Sequence, residues 1–95
     1  MIIRYTPEAI EGLVRLREFI EKKNPQAAAR VAYSLTTGIG KLKDFPFIGV
    51  EVSKAPNPKI VRDLVIENYL VRYLVIDDAI HILRLWHQKE NRVDV

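Results

Sequence analysis

The sequence contains no cysteine and only two histidines among its 95 residues. Without cysteine, neither a disulfide framework nor a thiolate metal site can form. Two histidines are also too few for a metal centre built from several imidazoles. We therefore expect no metal and no cofactor, and the absence of cysteine suits a reducing cytosol.

Long apolar stretches are missing as well. No apolar run reaches the roughly 20 residues that cross a membrane, and the N-terminal segment MIIRYTPEAI lacks the apolar core and small-residue cleavage site of a secretory signal. A chain of 95 residues has room for one domain with a modest core. We expect a single domain over residues 1–95, located in the cytoplasm and without a membrane partner.

Common catalytic motifs are absent too. The chain has no glycine-rich phosphate loop, no His/Glu zinc spacing and no Ser/His/Asp set in a recognisable context. Its net charge is +3, and the basic excess is greatest over residues 41–62, where five basic side chains stand against Asp44 and Glu51. Such an excess fits either a polyanionic or acidic partner or a solubilising surface.

Three β-strands are predicted from Lys59 to Arg92, where β-branched and aromatic residues dominate. The dipeptides Glu67-Asn68 and Asp77-Asp78 fit two-residue hairpin turns. Such turns require positive φ, which Asn and Asp tolerate, so we expect Asn68 and Asp78 to adopt it.

These turns also predict which side chains share a face of the sheet. They place Val65 opposite Leu70 and Leu70 opposite Leu85, on a face that also carries Leu74. The opposite face is predicted to carry Arg62, Arg84 and Trp86. Neither face is polar, although an antiparallel sheet usually leaves one side to water. We therefore expect a partner molecule to cover one of them.

Two helices are predicted ahead of these strands. Thr6-Pro7 and Asn24-Pro25 each place a capping side chain before a proline, which is a helix start signal. The first apolar stripe continues to Lys22-Lys23, and the second helix follows at once to form a hairpin. Met1 to Tyr5 is expected to add a strand. The predicted fold is α+β: an N-terminal strand, a helical hairpin and a three-stranded antiparallel meander, forming one sheet.

Arg62, Arg84 and His87 form the candidate catalytic set. Imidazole titrates near neutral pH, so His87 could act as general acid or base in a ribonuclease, with the arginines stabilising a phosphorane. The alternative is that His87 is a hydrogen-bonded strand-end residue and that both arginines pair with helix carboxylates. Arg72 is expected to form a cross-strand ion pair with Asp63.

An ordered set of residues runs along the predicted strands: Arg62-Asp63-Leu64-Val65, Asn68-Tyr69, Val71, Tyr73, Val75, Ile80, Ile82-Leu83-Arg84 and His87-Gln88. This set closely resembles the RelE/ParE superfamily of toxins from bacterial toxin–antitoxin modules. Upstream residues resemble its ParE-like members, so that the resemblance covers nearly the whole chain: Asn24-Pro25-Gln26-Ala27-Ala28, Leu42, Phe45-Pro46 and Gly49.

The resemblance implies the fold described above and a toxin held inactive by a cognate antitoxin. The C-terminal segment of the antitoxin would wrap the toxin as helix and strand, and the two would form a hetero-oligomer on operator DNA. The implied antitoxin contacts lie on one apolar face: Val65, Leu70, Leu74 and Leu85.

Two activities occur in this superfamily. RelE-like members cleave mRNA in the ribosomal A site; they carry an arginine directly after the strand-opening tyrosine, and lysines on the preceding strand. Here Leu70 holds the arginine position, and Val61 and Asp63 hold the lysine positions. ParE-like members instead inhibit DNA gyrase by binding it, without chemistry of their own. We therefore expect a ParE-like gyrase inhibitor with no catalytic residues.

The first alternative is a RelE-like, ribosome-dependent mRNA endonuclease that uses Arg62, Arg84 and His87. The second is a diverged member that only binds its antitoxin and takes part in autoregulating its operon. For a gyrase inhibitor, we expect the contacts on the exposed side of the helical hairpin and on the C-terminal segment: Arg15, Glu18, Lys22, Trp86, Lys89 and Arg92.

Overall fold

The computed structural model describes residues 1–89 and has the predicted α+β architecture. Strand β1 (Ile2–Tyr5) precedes helices α1 (Pro7–Lys23) and α2 (Pro25–Gly40), and a 3-10 turn (Lys41–Lys43) begins the connection. The later strands are β2 (Val50–Glu51), β3 (Val61–Ile66), β4 (Tyr69–Ile76) and β5 (Ala79–His87). All five form one sheet in the order β1-β5-β4-β3-β2, in which only β1 and β5 are parallel. Strand β2 lies in the connection, where no strand was predicted.

The two predicted caps start both helices. The Thr6 hydroxyl oxygen accepts a hydrogen bond from Ala9 N–H at 3.1 Å, and Asn24 Oδ1 accepts from Gln26 N–H at 3.1 Å. The same Asn24 donates its own N–H to the Ile20 carbonyl at 2.8 Å, which ends α1. One residue therefore ends the first helix and begins the second, and this forms the tight hairpin.

Both two-residue turns form where they were predicted, but the first uses a different residue for positive φ. Asp77 and Asp78 have φ values of 53° and 60°, as a mirror-image hairpin turn requires. In the first turn Glu67 has the positive φ, at 55°, so the prediction for Asn68 is wrong. The first hairpin nevertheless keeps its predicted register, with Val65 opposite Leu70.

The second hairpin keeps its predicted register only as far as Tyr73. Between Tyr73 and Arg72 the pairing shifts by one residue, because Leu83 is an extra residue on β5. Thr6 binds the chain at this bulge: its N–H donates to the Ile82 carbonyl at 3.0 Å, and its hydroxyl donates to the Leu83 carbonyl at 2.9 Å. The start of α1 therefore holds the bulge in place.

The bulge exchanges the faces of the last four residues of β5. Leu85 lies opposite Val71 and is only 2% exposed in the core, so its predicted place on the partner-facing side is wrong. Trp86 lies opposite Leu70, and Arg84 lies opposite Arg72. Both Arg84 and Trp86 therefore lie on the face that was predicted to carry Leu85.

The hydrophobic core lies between the two helices and the inner face of the sheet. Its largest fully buried side chains are Leu42, Val71, Tyr73, Ile80 and Ile82. Helix α1 comes so close to β5 that a Cβ atom on Gly12 would lie 2.8 Å from the Leu85 carbonyl oxygen. Across residues 1–89, no helix is long and apolar enough to span a membrane.

Candidate functional site

The outer face of the sheet carries the predicted ion pair. Arg72 Nε donates to Asp63 Oδ1 at 2.8 Å, and its Nη2 donates to Asp63 Oδ2 at 3.1 Å. The hydrogen bonds that Arg72 donates to Asp63 raise the pKa of Arg72, and its guanidinium lies 5.3 Å from the centre of the Trp86 ring. The prediction of a cross-strand ion pair is confirmed, and this bidentate contact uses two of the Arg72 donors.

Arg62 holds the connection between the 3-10 turn and β3 against the sheet. Its Nη1 donates to the carbonyls of Phe47 and Gly49 at 3.1 and 2.9 Å, and its Nε donates to the Lys59 carbonyl at 3.1 Å. Its carboxylate partner is Glu51, at 3.5 Å, in the connection rather than on a helix. Arg62 therefore has a structural role here, with a partner other than the one expected.

Tyr73 completes this arrangement beneath the connection. The Gly49 N–H donates to the Tyr73 hydroxyl oxygen at 2.9 Å, and burial raises the pKa of Tyr73. A Cβ atom on Gly49 would lie 2.8 Å from that hydroxyl and 2.9 Å from the Asp63 carbonyl oxygen. We call Arg62, Gly49 and Tyr73, together with Phe47 and Glu51, the Arg62 cluster.

The three candidate catalytic residues do not share a site. Arg62 lies opposite Tyr73 on β3, whereas His87 lies opposite Tyr69 on β5. Arg62 and His87 are therefore separated by four residues along the strands, about 13 Å, and by two strand spacings across the sheet, about 10 Å. Arg84 lies on the outer face, opposite Arg72. Within residues 1–89, no group of three or more His, Asp or Glu side chains is placed to bind a metal ion.

His87 instead lies in a groove between α1 and the ends of the central strands. The groove has a volume of about 510 Å³ and is lined by Arg15, Leu16, Phe19, Lys23, Tyr69, His87 and Lys89. We call it the α1 groove. His87 Nδ1 accepts a hydrogen bond from Lys89 N–H at 2.9 Å, so a neutral imidazole carries its proton on Nε2. The Tyr69 ring packs edge-on against His87, with the ring centres 5.1 Å apart.

The α1 groove contains two of the predicted gyrase-contact residues, Arg15 and Lys89. Glu18 and Lys22 are exposed on α1. Trp86 is 9% exposed, so its indole offers little surface to a partner. Arg92 lies outside the described residues.

Four groove residues were not among the predicted sites: Leu16, Phe19, Lys23 and Tyr69. A signal for two of them exists in the sequence. Arg15, Phe19 and Lys23 follow one another at intervals of four residues, which places them on one side of a helix. Tyr69 gave no such signal, because its place in the groove depends on how β4 and α1 pack together.

The predicted antitoxin face is partly open. Val65 is 54% exposed, and Leu70 and Leu74 are half-buried on the same outer face. Strand β2 pairs only with Arg62 and Asp63. In the described part of the chain, the edge of β3 from Leu64 to Ile66 therefore has no neighbouring strand. An apolar groove of about 440 Å³ runs beside this edge.

Comparison with known proteins gives the chain a family context. The family model described as "ParE toxin of type II toxin-antitoxin system, parDE" matches residues 3–92. Toxin RelE2 of Caulobacter vibrioides is 30% identical over 83 residues, which cover 87% of this chain and 90% of that protein. Putative toxin Y4kP of Sinorhizobium fredii is 32% identical over 87 residues, covering 90% of this chain and 85% of that protein.

The fold is also found among solved structures. A chain from the chromosomal ParDE toxin–antitoxin system of P. aeruginosa superposes with a TM-score of 0.76 at 21% identity. The match covers 92% of this chain and 95% of that one. Both the order of the elements and their arrangement are therefore shared with that structure.

Proposed function

This chain belongs to the ParE family of toxins from type II toxin–antitoxin systems, and we propose that it acts by binding DNA gyrase rather than by cutting RNA. Family membership gives it an antitoxin as partner. The choice of gyrase as target, and of binding as the mechanism, is our proposal. Its place of action would be the cytoplasm, where gyrase and the chromosome are found.

The observation that carries the proposal is the dispersal of the candidate nuclease residues. Cleavage of RNA by acid–base chemistry needs a proton-transfer group and a phosphate-stabilising cation within reach of the same phosphate. Arg62 donates three hydrogen bonds to backbone carbonyls of the chain, and Arg84 lies on the other face from His87. This arrangement favours a protein that acts by binding its target rather than by catalysing RNA cleavage.

We propose that the antitoxin covers the outer face and the open edge of β3. Val65, Leu70 and Leu74 would pack against apolar side chains of its C-terminal segment. The unpaired backbone from Leu64 to Ile66 would accept an added strand, because exposed strand edges readily pair with another chain. Leu85, buried in the core, is removed from this set. The resulting complex would bind operator DNA.

The gyrase-binding surface would lie on the other side of the molecule, along α1. Arg15, Glu18, Lys22 and Lys89 are exposed there. Because these residues and the open face of the sheet lie on different parts of the surface, we expect the antitoxin to neutralise the toxin without contacting every gyrase-binding residue.

A plasmid supercoiling reaction tests the proposed function. Purified gyrase and ATP would be incubated with rising amounts of the protein, and the products would be resolved on a gel that also separates linear DNA. We expect supercoiling to fall or cleaved plasmid to accumulate, and added antitoxin to reverse the effect. A folded, antitoxin-binding sample that leaves gyrase unaffected would overturn the proposal.

A second candidate is ribosome-dependent RNA cleavage, because His87 shares the α1 groove with Arg15, Lys23 and Lys89. If this reading is correct, the protein should cut mRNA on purified ribosomes, and His87→Gln should slow cleavage by about 10²–10⁴-fold. His81→Gln, on the outer face opposite Leu74, is the matched control. Intact mRNA in the presence of wild-type protein would exclude this candidate.

A further inference from the structure

We propose that the α1 groove binds an acidic peptide segment of the target that carries one apolar side chain as its anchor. The inference deepens the proposed binding of gyrase and rests on it. It specifies the chemistry of the partner segment and assigns roles to Phe19 and Lys23.

The apolar part of the groove provides the anchor site. Leu16, Phe19 and Tyr69 contribute apolar surface to a volume of about 510 Å³, which falls within the range of sites that bind ligands. Phe19 is 57% exposed although it is a large apolar residue. Exposed apolar surface bordered by polar groups is typical of an interaction site.

The charged residues that line the groove indicate which charge the partner segment carries. Arg15, Lys23 and Lys89 line it, and none of its lining residues in the described chain is acidic. Glu8 and Glu11 line a separate, smaller pocket, which Arg15 also borders. A segment with carboxylates on either side of an apolar side chain would therefore match the groove in both charge and polarity.

The aromatic residues favour a peptide over a nucleic acid. Single-stranded nucleic acid binds by stacking its bases on exposed ring faces along a basic track. Tyr69 is buried and packs edge-on against His87. The Lys23 ammonium lies over the Phe19 ring, 4.6 Å from its centre, and so occupies one face of that ring. Because Tyr69 is buried and one face of the Phe19 ring is occupied, the groove lacks the row of open ring faces on which successive bases would stack.

A pair of matched charge-reversal variants tests the inference. Lys23→Glu with Lys89→Glu changes the groove, whereas Lys43→Glu with Lys54→Glu makes the same change in net charge at exposed lysines elsewhere. Binding of each full-length protein to purified gyrase would be measured at low and high salt. We expect the groove variant to weaken binding by about 10-fold or more and the control by about 2-fold or less.

A third variant, Phe19→Ser, tests the anchor independently of charge. We expect it to weaken gyrase binding while thermal unfolding stays close to that of the wild type, because the side chain is largely exposed. Thermal unfolding of the charge variants identifies any that fail to fold. If the groove variant fails to fold, Lys23→Gln with Lys89→Gln replaces it.

The experiments distinguish a failure of the proposed function from a failure of this inference. If wild-type protein does not bind gyrase, the proposed function and this inference both fall. If wild type binds but the groove variants bind equally well, or if the control variant loses as much affinity, only this inference falls. This inference would also fall if a short oligothymidine competed with gyrase for binding to the wild-type protein. It would fall as well if the groove variants lost affinity for the antitoxin but kept their affinity for gyrase.

Discussion

Two clusters on the inner side of the sheet each combine a basic side chain with a phenylalanine and a tyrosine, and they differ in what the basic side chain contacts. In the Arg62 cluster, the guanidinium donates to the carbonyls of Lys59, Phe47 and Gly49, and its side chain is 16% exposed. In the α1 groove, Lys23 and Lys89 are exposed and border a cavity. The first cluster stabilises a connection, whereas the second presents charge to a partner. Residue type alone does not separate these roles.

The largest expected difference between the two clusters comes from removing one cation from each. Arg62→Met would break hydrogen bonds to three carbonyls, so we expect the free energy of unfolding to fall by about 1.5–3 kcal/mol. Lys89→Met would change it by less than about 0.5 kcal/mol, because the side chain is on the surface. Chemical denaturation of both variants measures these values.

The effects of these two variants on gyrase inhibition should be in the reverse order. Lys89→Met is expected to weaken inhibition, and Arg62→Met to retain it at temperatures where the variant is folded. A stable Arg62→Met protein that had lost inhibition would make Arg62 a functional residue and remove the distinction between the clusters.

A methyl group at Gly49 tests the packing of the Arg62 cluster. Its Cβ would lie within 3 Å of the buried Tyr73 ring and hydroxyl, so Gly49→Ala should cost about 1–3 kcal/mol of unfolding free energy through overpacking. Gly40→Ala is the matched control, because no atom beyond its chain neighbours and its own helix backbone lies within 4 Å of an added Cβ; it should be neutral or slightly stabilising. Equal melting temperatures for the two variants would contradict the close contact.

Several features of the fold could be predicted from local signals. Thr6-Pro7 and Asn24-Pro25 start the helices because their side chains cap backbone N–H groups that lie only a few residues away. Asp77-Asp78 forms its turn because both residues tolerate positive φ. Each of these signals needs only neighbouring residues to act, so the sequence displays it directly.

The features that the sequence did not predict depend on contacts between distant segments. The bulge at Leu83 is held by Thr6, which is 77 residues away, and it moves Leu85 into the core. Strand β2 pairs with β3 where Arg62 contacts the connection through Phe47, Gly49 and Glu51. Tyr69 belongs to the α1 groove only because α1 packs beside it. None of these pairings leaves a local pattern that could be recognised beforehand.

The smallest expected effect concerns pH and lies at a third site, the turn between β3 and β4. Hydrogen bonds from Ser34 and Arg30 lower the pKa of Glu67, and Arg30 Nη1 lies 2.6 Å from Glu67 Oε1. Because the folded pKa is below the unfolded one, this contribution to stability is present above the unfolded pKa and is lost as the pH falls through the folded pKa.

The site-specific pKa of Glu67 would be measured by NMR titration. We expect it below the ordinary glutamate value in the wild type and higher in Ser34→Ala and Arg30→Gln. A normal pKa in the wild-type protein would show that the contacts between α2 and this turn do not persist in solution.

The most direct test of binding rather than RNA cleavage is made in cells that express the protein without its antitoxin. Gyrase trapped covalently on DNA would be quantified, and mRNA from the same culture would be mapped by primer extension. We predict that trapped gyrase accumulates, or that supercoiling is lost, before any mRNA is cut. Early codon-spaced mRNA cleavage with normal gyrase activity would contradict gyrase inhibition and would support the ribosome-dependent nuclease, with His87 as the first residue to substitute.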